Sequence, residues 1–299
     1  MLNWIWFVLI SQGIWSVTSL IDKIVISKGY IKNPFVYIVL NGFTSIFLIF
    51  LLPFVGFEPI KFNDLLIGLF GGVVFSTGIV IYYKAVQYDE ISRIVMVGQL
   101  GPVFVLVLSY LFLGEILAKN YFIGFLFLIC AGLVISYKKI NGSFKLSKAF
   151  ILMMASVFLT SISLIIAKYI YNITGFWSAF LWLRVTGLTA LFVLLFPSLR
   201  KDALNTFKIM VPKIKGLMIF KMFIDFSAFV FAGYALMKGP TSLVAALSSS
   251  LLPLFVFILA LITSVYLPKL VKEDIDRKSI LTKLFALAMI LMGVLFVNM

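Results

Sequence analysis

The sequence predicts an all-α integral membrane protein in which ten transmembrane helices form two inverted five-helix repeats. Three observations lead there. Hydrophobic residues make up 63% of the 299 and charged residues only 12%, too little polar surface to coat a soluble domain. The apolar residues collect in ten runs, each near the ~20 residues that a helix needs to cross the hydrocarbon core. Pieces of the first half also recur, in the same order, in the second.

The runs lie near 3–26, 33–54, 64–83, 92–113, 120–137, 149–171, 176–196, 214–236, 241–265 and 280–298. They are continuously apolar, where barrel strands would be short and alternating, so each reads as a helix that satisfies its own backbone. The first run has no basic start and no Ala-x-Ala-like site, so it reads as a retained span and not a cleaved signal. The longest polar stretches, 197–216 and 267–280, read as loops.

The repeat divides the chain into 1–140 and 141–299. Ala85-Val86, Ile91-Ser92 and Pro102-Val103-Phe104-Val105 are echoed by Ala235-Leu236, Thr241-Ser242 and Pro253-Leu254-Phe255-Val256. Ser19-Leu20-Ile21-Asp22-Lys23 is echoed by Leu164-Ile165-Ile166-Ala167-Lys168, Pro53 by Pro197, and Gly132-Leu133-Val134 by Gly293-Val294-Leu295. Five spans per half is an odd number, so the second half enters the membrane from the opposite face. Inverted repeats of this kind typify secondary transporters, with the substrate site between the halves near the midplane.

The net charge of +14 does not point to nucleic acid. Sixteen lysines and arginines sit in the odd-numbered loops and about three in the even ones. The positive-inside rule then places the odd loops in the cytoplasm and both termini outside, most naturally in the cell membrane. There is no histidine, and the one cysteine, Cys130, lies inside an apolar run. Zinc, haem and Cys/His nucleophile chemistry have almost no material here, and neither a metal nor a cofactor is expected.

Tyr82-Tyr83-Lys84-Ala85-Val86, Ile91-Ser92, Gly101-Pro102-Val103-Phe104, Leu113-Gly114-Glu115, Gly124 and Ala131-Gly132 together resemble the EamA-type ten-helix group of the drug/metabolite transporter superfamily. The second half repeats the pattern more loosely through Gly233-Tyr234-Ala235-Leu236, Thr241-Ser242 and Pro253-Leu254. It has no clean Leu-Gly-Glu after span nine, where Glu273 follows a basic insertion. The resemblance implies alternating-access transport of small metabolites, often export of amino acids or related solutes. It also implies cytoplasmic termini, against the loop charges.

Candidate site residues are those that break the apolar pattern, because an ionisable group at mid-membrane costs at least ~2.5–3.5 kcal/mol and faces a cavity or a partner. Arg184, central in span seven, would attract a substrate carboxylate or pair with Asp225. Asp225 would hold a substrate amine or a coupling proton, or be neutralised by Lys221 four residues earlier on the same helix face. Lys84 and Lys23 would add positive field. Lys23, Lys84 and Lys168 are also placed to snorkel to an interface, where Arg93 is expected too. Gln99, Ser249, Trp15, Trp182 and Tyr83 complete the candidate lining. Pro102 and Pro253 are candidate hinges, since proline removes a helical N–H.

The sequence therefore suggests a carrier of a small polar metabolite, an amino acid or related carboxylate, in the direction of export. A nucleotide-sugar or phosphate-ester carrier of the same superfamily is the alternative, and a non-transporting scaffold the reading from another class. An enzyme is not expected: no paired carboxylates share a face and no Gly-x-Ser-x-Gly occurs. The partners are a small-molecule substrate, the bilayer and optionally a proton, with monomer and homodimer both open.

Overall fold

The computed structural model describes residues 3–27, 39, 42–47, 54–56, 58–88, 97–136, 148–266 and 277–298. Most of the expected span 33–54, Arg93 and the insertion around 267–276 lie outside these residues, as do the side chains of Lys23 and Tyr83.

Among the described residues the chain is helical throughout. The helices are α1 (Asn3–Ser27), α2 (Phe62–Val86), α3 (Gly101–Leu113), α4 (Lys119–Ser136), α5 (Lys148–Ile173), α6 (Phe176–Gly187), α7 (Pro197–Ile209), α8 (Pro212–Lys238), α9 (Thr241–Tyr266) and α10 (Arg277–Asn298). Five of them, α1, α2, α5, α8 and α9, hold segments long and apolar enough to cross a membrane, and shorter apolar helices add Gly101–Leu113, Lys119–Val134 and Leu284–Val297. Large apolar side chains point outward, among them Trp6, Leu111, Phe112 and Phe285. Water would not tolerate that face; lipid does. Buried serines such as Ser109 and Ser161 return their hydroxyls to backbone carbonyls, as the lack of water requires.

Several of the helix contacts come in matched pairs, whereas among the described residues α4 also packs on α9 with no α3–α10 contact of like extent. α2 lies along α5, and α1 along α8; α3 packs on α5, and α1 on α9; α4 meets α10, and α3 meets α9. Small residues allow the closest approaches. Where α4 crosses α10, Gly124 faces the Gly293 carbonyl with no space for a side chain. The largest core, built on Val8, Phe125, Leu128, Leu247 and Ile290, joins α1, α4, α9 and α10. A second, built on Tyr171, Phe176, Phe180, Phe226 and Leu236, joins α5, α6 and α8.

Three expectations are corrected. The stretch 197–216 is not a loop: α7 fills 197–209 and α8 begins at Pro212. Polar composition hid an amphipathic helix that buries Ala203, with Met210 just beyond its end, against Val25 and Met218. Pro102 does not kink a helix. It sits in the first turn of α3, where its missing N–H has no carbonyl to serve. Pro253 is the proline inside a helix, in α9.

Lys168 is the third correction, since it does not snorkel. It is 7% exposed and its ammonium donates to the carbonyls of Leu236 (2.7 Å), Met237 (3.1 Å) and Gly239 (2.9 Å) at the end of α8. Those orphan carbonyls carry the negative end of the helix dipole. Glu115 lies 3.9 Å from the same ammonium. Its two oxygens accept from the Thr241 N–H and hydroxyl, both at 2.8 Å, and so cap the start of α9. This gives Leu113-Gly114-Glu115 a physical reason. Gly114, at φ 65°, ends α3 in the left-handed conformation. The chain then turns and delivers Glu115 to the α8–α9 junction.

Candidate functional site

A cavity of about 370 Å3 opens between α1, α2, α5, α6, α8 and α9. Glycines bring its walls together. Gly72 of α2 lies against the Thr186 carbonyl and the Thr189 hydroxyl, and Gly233 of α8 lies against the Tyr171 hydroxyl. A β-carbon at either position would collide with those atoms. The close fit of α6 on α2 carries Arg184, two residues before Thr186, to the cavity wall.

Among the described residues that line the cavity, Arg184 is the only charged one. Its guanidinium carbon stands 4.0 Å from the centre of the Phe229 ring and 5.8 Å from that of Phe180. Its Nε is buried without a hydrogen-bond partner, and among the described residues it has no ion pair. Cation–π attraction of about 0.5–2 kcal/mol compensates part of the cost of placing this charge in the membrane. A guanidinium so placed can take an anion, and it binds a carboxylate in bidentate fashion. The expected alternative, a pair with Asp225, is not formed. Asp225 accepts from Lys221 at 2.6 Å, and Lys221 also lies 3.4 Å from Asp22.

The other candidates divide. Trp15 lines the cavity and meets Phe229 edge-on, with ring centres 5.3 Å apart. Ser248, not Ser249, faces the cavity; the Ser249 hydroxyl bonds back to the Ala246 carbonyl. Trp182 turns outward and donates its indole N–H to the Glu58 carbonyl. Lys84 is exposed at the end of α2. Gln99 is buried beside Gly132, its Oε1 without a hydrogen-bond partner. Lys221 and Asp225 are not among the lining residues. Sequence reasoning missed Gln12, Thr160, Ser163, Tyr171 and Phe229, all of which line it. Polar residues at mid-span and the Gly71-Gly72 pair were the available signals.

Residues 2–137 match the model of the EamA-like transporter family. The first half of the chain belongs to this family, within the drug/metabolite transporter superfamily. That match and the apolar helices support a multi-pass integral membrane protein and suggest a transporter. A search of curated proteins finds no match. A solved crystal structure of another protein superposes with a TM-score of 0.69 over 99% of this chain and 95% of that one, at 15% identity. At that identity the likeness concerns the fold alone.

Proposed function

We propose that this EamA-like protein is a secondary transporter that moves an amino acid or related carboxylate by alternating access, in the direction of export. One observation carries the reading: a guanidinium held by aromatic rings and unpaired among the described residues faces a cavity whose described lining is otherwise uncharged. Its volume of about 370 Å3 falls within the roughly 300–1,000 Å3 of small-ligand pockets. A single cation matches a single carboxylate. The apolar wall suits the body of the molecule, and Thr160, Ser163 and Ser248 offer hydroxyls for an amine. A nucleotide sugar or phosphate ester would bring two or more negative charges to one arginine, because Lys84 and Lys221 are not in the lining.

The matched packing supports an inverted repeat. If α1, α2, α3 and α4 correspond to α5, α8, α9 and α10, exchanging the halves turns the α1–α8 contact into α5–α2 and the α1–α9 contact into α5–α3. It returns α4–α10 and α3–α9 to themselves. Two such halves have two equivalent arrangements about one cavity, which is what alternating access needs. The loop charges orient both termini outside.

The test is counterflow of labelled L-leucine and L-phenylalanine in proteoliposomes. Arg184→Ala is expected to lower uptake at least about tenfold, as loss of a buried charge partner does, and Arg184→Lys to retain part of it. Undiminished uptake by Arg184→Ala would remove the guanidinium from the site and overturn the reading.

A further inference from the structure

The seam between α1 and α8 carries a second group of charges that the cavity does not use. Asp22 of α1 and Lys221 and Asp225 of α8 form a triad of two carboxylates and one ammonium. Its net charge is −1. Lys221 and Asp225 are 6% and 4% exposed. The lysine is shared unequally. It sits 2.6 Å from Asp225, its neighbour one turn along the same helix, and 3.4 Å from Asp22 across the seam. Asp22 Oδ1 is buried and has no hydrogen-bond partner. Asp22 is thus the less compensated carboxylate, and with its side chain 30% exposed it is also the one that water can reach.

Among the described residues no other charge relieves it. Lys221 and Asp225 face it from α8. α9, which also packs on α1, contains no Asp, Glu, Lys or Arg. α7 offers Ala203 to this region, and Arg200, Lys201, Asp202 and Lys208 are exposed.

The same seam leads to the cavity. Trp15 lies two turns before Asp22 on α1, about 10 Å along the axis. Phe229 lies one turn after Asp225 on α8, about 6 Å along. Trp15 touches Phe229, and Phe229 carries the Arg184 guanidinium.

We propose that Asp22, Lys221 and Asp225 form a proton-binding site that couples transport to proton movement. One proton from water passes to the Asp22 carboxylate. The triad goes from −1 to neutral, and Lys221 stays with Asp225 inside α8. The bond this breaks is the ionic tie between α1 and α8, helices from opposite halves of the chain. Return of the proton restores it. The coupling rests on the carrier reading above; the protonation does not.

Two measurements separate those claims. The first is infrared titration of the full protein in lipid between about pH 5 and about pH 8, a range that lies above ordinary carboxyl titration. Wild type is expected to show a protonated-carboxyl band that fades across this range. Asp22→Asn is expected to lose the band, Asp22→Glu to keep it, and exposed Glu58→Gln to leave it unchanged. Asp225→Asn is expected to suppress it too, because Lys221 then serves Asp22 alone. A band that survives Asp22→Asn, or is absent from wild type, overturns the proposal. So does a band unaltered by Asp225→Asn. The second uses proteoliposomes loaded with a pH-sensitive dye and given an L-leucine gradient. Leucine-driven proton flux is expected in wild type and its loss in Asp22→Asn, with leucine counterflow retained. Proton flux that persists in Asp22→Asn refutes the coupling. Failure of leucine counterflow in wild type counts against the carrier reading and leaves the infrared result standing.

Discussion

Replacing Lys168 by methionine is expected to be among the most damaging single changes in this protein. The ammonium makes three hydrogen bonds, at 2.7, 2.9 and 3.1 Å, to the last carbonyls of α8. Hydrogen bonds to a charged donor contribute about 1.5–3 kcal/mol each. Methionine has similar length and no desolvation cost, which offsets part of the loss. It also leaves three carbonyls and the Glu115 carboxylate without the cation that faced them, and uncompensating such a group costs about 3–5 kcal/mol net. For a chain of this size each kcal/mol shifts the melting temperature by roughly 2–4 °C. A fall of roughly 6–20 °C follows. The assay is fluorescence-detected thermal unfolding in detergent at one fixed scan rate, since unfolding of such proteins is commonly irreversible. Lys168→Arg, which keeps donors and charge, should lose less than half as much. A Lys168→Met midpoint within about 2 °C of wild type would refute the clamp and return Lys168 to the snorkelling role.

Other changes test neighbouring parts. Glu115→Ala should cost about 1–2 kcal/mol through loss of the Thr241 cap. In a double-mutant cycle with Lys168→Met it should couple by about 1 kcal/mol, whereas strict additivity would separate the two. Gly124→Leu places a side chain where even a β-carbon would lie 2.8 Å from the Gly293 carbonyl and 2.7 Å from Val297. It should lower stability by about 1–3 kcal/mol, read as a lower melting midpoint; no change would mean that α4 and α10 are not in contact. Gly233→Ala adds a methyl against the Tyr171 hydroxyl. It should move that ring and raise the half-saturating leucine concentration several-fold, and an unaltered value would take Tyr171 out of the site. A cysteine introduced at residue 2 or 298 of a Cys130→Ala background should react with an impermeant reagent added from outside. Labelling only after lysis would reverse the assigned orientation.

Much of the fold was legible because membrane insertion is read from long runs of composition. Five of the ten expected spans hold helices long and apolar enough to cross a membrane, and four more hold further helices among the described residues. The exception in kind was α7, whose polar face made Pro197–Ile209 look like a loop. A run-length reading detects helices that cross lipid and overlooks one that is amphipathic and short. The site was legible only in part. Arg184 and Trp15 stood out as a charge and a large polar ring at mid-span, and both line the cavity. Asp225 stood out equally but lies outside the lining, because pairing depends on which helix faces which. The Lys221 spacing of four made one partner predictable; Asp22, two hundred residues away, was not. Lys168 looked long enough to reach an interface, and only the Gly239-Pro240 junction folded over it shows why it stays buried.

Composition and charge spacing alone dictate that this chain lies in a membrane as a helical bundle and which residues must find shelter there, since lipid penalises each unsatisfied polar group locally. Which shelter each one finds is set by helix packing. Arg184 takes an aromatic-walled cavity, Lys168 a helix end, and Asp22 and Asp225 one shared lysine. Ion pairs and hydrogen bonds reach only a few ångströms, so residues distant in sequence acquire their roles only when the helices meet.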